Sequence, residues 1–414
     1  LKILYAILSV LFQWSLPLIG TLSSKLRLFA NGRKHSFSVL EKNLKKGDKV
    51  IWFHCASLGE YEQGVPVMES LKKEYPTYKL LVTFFSPSGY EAKKKSTLAD
   101  VVLYLPVDTI RNAKRFVKYV QPKMALFVKY EFWPNYFQEL KKEGIPVVII
   151  SAAFRENQSF FKWYGGFMRT VLRSVSHFFV QDEISKELLN RIGFSNVSVS
   201  GDTRFDRVSH QIEMNNKVDF ISEFVGGRLC VVIGSSWKED EEVFINYINR
   251  APASLCFIIA PHEIKESGVA SLVDKITKKT IRYSDREGKE LNSYQVFVMN
   301  TIGYLSRVYS YADITYVGGA MGTSGLHNIL EPATFGVPVI IGKNFDKFWE
   351  AKQLQKLAGL FSVSSQEEFS VIIDRLIDDK QFREKTGMIS GHFINSNTGA
   401  THTIMTYITA SGNL

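Results

Sequence analysis

Cysteine is scarce in this chain, and so is repetition. The three cysteines, Cys55, Cys230 and Cys256, each lie in an apolar run and none belongs to a CxxC pair. Neither a disulfide framework nor a zinc site is indicated, and a reducing environment is expected. No internal period of roughly 20 to 50 residues is visible, which excludes solenoids and propellers, and no low-complexity tract interrupts the chain. Acidic residues are outnumbered, 41 against 51 Lys and Arg, leaving a net charge of +10. That surplus favours an anionic partner. The basic residues are dispersed, as at Lys72, Lys73, Lys93, Lys94 and Lys95, with no compact arm, zinc finger or RNA-binding motif, so nucleic acid is not expected as the partner.

What is present is a chain of 414 residues, 45% apolar and 22% charged, long enough for two domains and greasy enough to fill both cores. From Leu1 to Leu22 the only charged residue is Lys2, with Tyr5 and Trp14 inside the stretch and Pro17 expected to interrupt it. A bilayer core of ~30 Å takes about 20 apolar helical residues, so this segment is expected to span a membrane or to lie in one leaflet. The alternative is a first helix buried in the soluble fold. Lys25, Arg27, Arg33 and Lys34 follow, which would hold the downstream chain on the cytoplasmic side, and no A-x-A pattern suggests signal cleavage.

Beyond residue 49 the pattern alternates. Apolar strands are expected at Val50–Cys55, Leu80–Phe85, Met124–Val128 and Val147–Ser151, each followed by a helical pattern; the last is a long aromatic helix through Phe160, Phe161, Trp163, Tyr164 and Phe167. A second series, at Leu229–Gly234, Leu255–Ala260, Val296–Met299, Ile314–Val317 and Val337–Ile341, repeats the alternation. Strand then helix, repeated, builds a parallel sheet with right-handed crossovers. The fold class is therefore α/β, with two Rossmann-like parallel-sheet domains facing a cleft. The expected divisions are an anchor with its basic flank over 1–34, a first domain over 35–210, a second over 211–385, and final helices over 386–414 that are candidates for a return crossing to the first domain.

In open parallel sheets ligands bind beyond the carboxyl ends of the strands, which selects a few turns. In His54-Cys55-Ala56-Ser57-Leu58-Gly59-Glu60 a carboxylate lands on the first turn of a helix, as a cap or as a base, with Glu62 the neighbouring alternative. Lys129-Tyr130-Glu131-Phe132-Trp133-Pro134-Asn135 places aromatic rings beside a carboxylate, as a sugar-stacking corner or a packed helix entry. Ser235 and Ser236 follow Gly234 at an acidic helix start, where backbone N–H groups suit phosphate but capping also accounts for the serines. Gly318-Gly319-Ala320-Met321-Gly322-Thr323-Ser324-Gly325-Leu326-His327-Asn328-Ile329-Leu330-Glu331 is the most specific. Its glycines free the backbone to wrap a ligand, and His327, Asn328 and Glu331 would share one helical face, the carboxylate suiting a ribose. Pro261 and His262, and Gly303, Tyr304 and Leu305, complete the set, with packing the alternative for each.

Taken in order, the SLGE turn, the YEFWPN segment, Gly201-Asp202-Thr203-Arg204-Phe205-Asp206, the GSSW turn, the PH turn and the GG…GLHNILEPA loop resemble the bacterial Kdo transferases, over about Val50 to Lys352. Those enzymes are GT-B glycosyltransferases that move 3-deoxy-D-manno-octulosonic acid (Kdo) from CMP-Kdo to the lipid A precursor, lipid IVA. The resemblance implies an inverting, cofactor-free single displacement at the cytoplasmic face of the inner membrane. It makes Glu60 the general base, Glu131 and Arg204 transition-state stabilisers, and Pro261, His262, Gly303 to Leu305 and Asn328 to Glu331 the CMP-binding turns. The chain departs from the family with His262 where Arg is common, Tyr304 where Glu is common and Arg204 where Lys is commoner. A UDP-sugar transferase or 2-epimerase of the same fold, and a glycolipid-binding protein without turnover, are the competing readings.

Overall fold

The computed structural model describes residues 1–414, and these form two compact units, one of Leu1–Arg207 with Thr398–Leu414 and the other of Val208–Asn397. The first is built on seven parallel strands: β1 (Val50–Cys55), β2 (Lys79–Phe84), β3 (Val101–Tyr104), β4 (Met124–Val128), β5 (Val147–Ala152), β6 (His177–Val180) and β7 (Val197–Val199), in the order β3-β2-β1-β4-β5-β6-β7. The second has β8 (Leu229–Ser236), β9 (Leu255–Pro261), β10 (Thr280–Arg282), β11 (Val296–Val298), β12 (Ile314–Val317), β13 (Val339–Gly342) and β14 (Leu360–Val363), in the order β10-β11-β9-β8-β12-β13-β14.

The sequence dictates these sheets through runs that are apolar on both faces, as buried parallel strands require. In β1, Trp52 points into one layer with Phe116, Phe127 and Tyr136, while Ile51 and Phe53 point into the opposite layer with Val65, Met68 and Leu71. In β8, Val231 and Ile233 meet Phe244 and Ile248, and Cys230 and Val232 meet Ile221 and Phe224 on the other side. All three cysteines are buried and free. The winding reverses between β1 and β4 in the first sheet and between β8 and β12 in the second, where the edge pair β10 and β11 is also exchanged in order. The crevice beyond the carboxyl ends of the strands opens at such a reversal.

Four helices precede or follow β1: α1 (Lys2–Ile19), α2 (Ser24–Lys34), α3 (Ser36–Asn43) and α4 (Leu58–Glu74). Pro17 does not interrupt α1, because it falls in the last turn, where a missing N–H removes a single bond. This helix is long and apolar enough to cross a membrane by length and composition. One edge rests on the first unit, where Leu16 and Ser9 are buried, Tyr5 Oη donates to Asp108 at 2.8 Å and Asn112 donates to Gln13 at 2.8 Å. Its other side exposes Leu4, Leu11, Trp14 and Leu18.

The long aromatic helix expected after β5 is instead a single 3-10 turn, Ser159–Phe161, and a short helix, Gly166–Leu172. The loop folds back so tightly at Gly165 that a Cβ there would lie 2.1 Å from the Ser159 carbonyl oxygen, and no continuous helix accommodates that turn. Phe160 is buried while Trp163 is 91% exposed. The final pair, Lys380–Ser396 and Ala400–Ser411, is broken at Gly399, whose φ is +109°. The second of these returns to the first unit, where Ile404 and Ile408 join the layer under α4. There Asp206 accepts from Gly399 N, Thr401 N and Thr401 Oγ1, each at 2.6 Å.

Asp108 braces the first unit, accepting from Tyr5 in α1 and from the backbone N–H groups of Asn135 and Tyr136, which start the helix Pro134–Lys142. Its burial outweighs these bonds and raises its pKa to about 6. A raised carboxyl pKa means that the folded state holds the proton more tightly, so this contribution to stability is present at low pH and is lost as the pH rises through 6. In urea unfolding, Asp108→Asn should remove about 2 kcal/mol of the stability that the wild type gains between about pH 7 and about pH 4.5. Identical pH dependence in both proteins would contradict the assignment.

Candidate functional site

The first reversal point gathers the SLGE and YEFWPN segments. Glu60 stands on the first turn of α4 with its side chain 15% exposed; Ser57 Oγ donates to its Oε2, and Lys129 Nζ lies 3.8 Å from its Oε1. Ser57 makes no capping bond to the helix backbone, so its hydroxyl serves the carboxylate. Glu62, two residues on, points to another side of α4 and is held by Lys93 at 2.8 Å and Arg207 at 3.4 Å, which takes it out of contention with Glu60. Lys129 ends β4 with φ +64°, a left-handed conformation uncommon for a residue with a Cβ. Ser151, at the end of β5, and Ser235, near the end of β8, have φ +52° and +55°. Strained backbone at strand ends is a recurrent mark of binding sites.

Glu131 is 21% exposed, and its Oε2 lies 3.9 Å from the buried His54 Nε2. The two do not form an ion pair, because both ring nitrogens are committed. Trp133 Nε1 donates to His54 Nε2 at 3.0 Å, and Nδ1 lies 2.8 Å from Thr83 Oγ1. Thr83 donates to the Phe53 carbonyl and accepts from Trp52, so His54 carries its proton on Nδ1 and is neutral. Trp133 is thus oriented by His54 as well as packed, and its ring lies 5.1 Å from that of Phe85. Burial, and after it Glu60, Glu131 and Glu62, push the Cys55 thiol up.

Arg204 is held from behind. Asp202, 6% exposed, accepts from Arg204 Nε at 2.8 Å and from its backbone N at 2.9 Å, and also from Gln63 Nε2 of α4 at 2.9 Å. Thr203 Oγ1 donates to the Gln63 carbonyl at 2.6 Å. The GDTRFD stretch is therefore stitched to the helix that carries Glu60.

The second unit repeats the plan at β8 and β12. Asp240 is fully buried and accepts from Trp237 N at 2.8 Å, Gly319 N at 2.9 Å and Tyr316 Oη at 2.8 Å. One carboxylate thereby fixes the GSSW turn against the double glycine, and burial raises its pKa despite the donors. A Cβ on Gly318 would lie 2.4 Å from the Ser235 carbonyl oxygen, and one on Gly319, at φ +95°, 2.2 Å from that of Gly325. Ser236 Oγ is buried without a hydrogen-bond partner. Trp237 donates to His327 Nε2 at 3.0 Å and stacks on His262 at 4.4 Å, and the two imidazoles are 4.5 Å apart. Burial first, and His262 second, lower the His327 pKa to about 4. An open pocket of about 480 Å³ adjoins this cluster, lined by Ser236, Trp237, Lys238, Pro261, Glu263 and Lys265.

His327, Asn328 and Glu331 do not share a helical face, because the helix there is only Leu330–Ala333. Asn328 starts it instead, accepting from Leu330 N at 3.1 Å and donating to Glu331 Oε1 at 3.1 Å, the local bonding that sets asparagine against helix continuation. Ile329 and Leu330 are buried beneath this turn. Gly303, at φ +91°, Tyr304 and Leu305 follow β11, with the Tyr304 ring against Phe220 and Tyr283. The expected residues of this unit thus lie at the carboxyl ends of four adjacent strands, β11, β9, β8 and β12. Ser57, Lys129, Asp202 and Asp240 were not singled out from the sequence. The signals that carried them were a small residue beside a first-turn acid, a lysine ending a strand, and acids beside the motif residues.

Two α/β units, each with its crevice at a sheet reversal, define a glycosyltransferase-type architecture of the GT-B class. A UDP-GlcNAc 2-epimerase from Neisseria meningitidis, solved bound to UDP-GlcNAc, shares the fold with a TM-score of 0.62 at 16% identity, over 87% of this chain and 100% of that one. Residues 31–207 match the family model of 3-deoxy-D-manno-octulosonic-acid transferase. The 3-deoxy-D-manno-octulosonic acid transferase of Haemophilus influenzae is 29% identical over 84% of each chain. That of Aquifex aeolicus is 26% identical over 86% of this chain and 94% of its own. The chain is thus similar to Kdo transferases along most of its length.

Two outcomes follow from the second unit. Gly319→Ala should cost about 2 to 3 kcal/mol in chemical unfolding, from the positive φ and the contact with Gly325; a change within about 0.5 kcal/mol would show that the loop relaxes freely. In NMR titration the His327 ring should stay neutral from about pH 8 to about pH 5, where an unperturbed imidazole would have titrated. A midpoint near 6.5 would contradict the burial of the ring beside His262.

Proposed function

We propose that the chain is an inverting transferase of lipopolysaccharide biosynthesis that moves Kdo from CMP-Kdo to lipid IVA, the lipid A precursor. The observation that carries the reading is the Glu60 carboxylate, set on a helix start at a sheet reversal, served by Ser57 and flanked by Lys129. Residues 35–210 would bind the acceptor and 211–385 the donor.

Glu60 takes the proton from an acceptor sugar hydroxyl while that oxygen bonds to the anomeric carbon of Kdo. The bond from that carbon to the CMP phosphate oxygen breaks as the new one forms, and configuration inverts. General-base help of this kind is worth about 10²- to 10⁴-fold. Glu131 and Arg204 stabilise the charge that develops, Glu131 beside the electron-poor sugar and Arg204, steadied by Asp202, beside the departing phosphate. Arg204 can offer a planar fork to phosphate where the family more often has an ammonium.

In the second unit the backbone at Ser235, Ser236, Gly318 and Gly319, ahead of the helix Lys238–Arg250, suits the CMP phosphate. Asn328 and Glu331 with Ile329 and Leu330 form the turn for the ribose. Pro261 and His262, with Gly303, Tyr304 and Leu305, border the cytosine. The stacked Trp237–His262 pair keeps His262 in place where the family's common arginine is missing. No step calls for a cofactor.

The acceptor is a phosphorylated lipid, which suits a net charge of +10 and the exposed apolar side of α1. That helix, followed by Lys25, Arg27 and Lys34, would hold the protein on the cytoplasmic leaflet of the inner membrane, lying in the interface rather than spanning.

Mass spectrometry of lipid IVA incubated with the protein and CMP-Kdo should show an added Kdo. Glu60→Gln should lower kcat by 10²-fold or more and leave CMP affinity within about twofold. Transfer from UDP-N-acetylglucosamine instead, or a fully active Glu60→Gln, would overturn the reading.

A further inference from the structure

Beneath α1 the first unit forms a half-open cavity of about 250 Å³, walled by Leu8 and Phe12 of α1, Phe85 after β2, Leu105 to Asp108 after β3, and Trp133 after β4. Its polar neighbours are already satisfied. Asp108 accepts from three donors, Ser9 Oγ donates to the Ala6 carbonyl, and Trp133 donates to His54. Arg33 donates to the Phe29 and Phe85 carbonyls and lies 3.7 Å from the centre of the Phe29 ring. What faces the space is therefore apolar, and such a space holds water poorly. Its size leaves room for a run of several methylenes.

Two observations say whose chain it is. Trp133 is both a wall of the cavity and the partner of His54, whose ring lies 3.9 Å from Glu131, so the cavity backs directly onto the acidic site. A neighbouring pocket of about 400 Å³ shares Arg33, Pro106 and Val107 with it and adds Lys34, Arg111 and Arg115, the last paired with Glu41. The charge beside the apolar space is thus positive, as an anionic lipid requires.

We propose that this cavity is a subsite for one fatty-acyl chain of the anionic glycolipid acceptor, with α1 as its roof. The inference rests on the proposed transfer reaction and adds the part of the molecule that reads acylation. Extraction of one chain into the cavity draws the sugar head toward Glu131, so the acyl chain contributes to positioning and not only to retention at the membrane.

The test compares the acylated acceptor with its fully deacylated sugar bisphosphate. Ser9→Trp, which fills the cavity from α1, should raise KM for the acylated acceptor about tenfold and leave KM and kcat for the deacylated one unchanged. An unchanged ratio of the two KM values overturns the proposal. So does weaker binding to phosphatidylglycerol vesicles with an unchanged ratio, which would assign the cavity to bulk lipid. Independently of folding of the variant, an acceptor with a mid-chain diazirine should label wild-type peptides containing Leu8 to Phe12 or Leu105 to Asp108 on illumination; labelling only elsewhere overturns it. If the wild type transfers to neither acceptor, the reaction itself is wrong, and the labelling still decides the cavity.

Discussion

Parallel strands present their carboxyl ends along one edge, and where the order of winding reverses the two adjoining loops run apart. The residues at the centre of each candidate site depend on that constraint. In the first sheet it separates the loop after β1 from the loop after β4, which exposes Glu60 and Glu131 around a single strand end. In the second it separates the loops after β8 and β12, which exposes Ser235, Ser236 and the double glycine. Each crevice needs its loops fixed in place, and each unit uses a buried carboxylate for this. Asp108 fixes the start of the helix behind Trp133, and Asp240 ties the GSSW turn to Gly319. Both carry raised pKa values because burial outweighs their donors, a cost that a purely structural surface acid would not bear.

The chemistry assigned to the two sites differs in a way their surroundings support. The first is rich in charge, with a lysine beside one carboxylate and a neutral histidine beside the other, and is suited to moving a proton. The second is rich in backbone N–H groups and stacked rings, suited to gripping a nucleotide without reacting with it. His327 is held neutral by burial, with His262 as the second cause.

Much of this was legible in the sequence. Strands β1, β4 and β12 fall where the apolar runs place them, while the glycines at 318 and 319, expected to free the backbone for a ligand, lie against the backbone of Ser235 and Gly325. Strands β3, β6, β7, β10 and β14 went unread because strands of three or four residues are too short to show a period. The helical face through His327 and Glu331 failed because Asn328 bonds locally and delays the helix. The roles of Asp108 and Asp240 lay out of reach for another reason. Their partners stand 103 and 79 residues away, and no local pattern encodes such a brace.

If the nucleotide binds at the second unit's reversal point, as proposed, CMP should slow hydrogen exchange there. Slowed exchange at the amides of Ser235, Ser236 and Gly319, with residues 58–60 and 129–131 unaffected, is the expected result. Protection confined to the first unit, or none at saturating CMP, would contradict it.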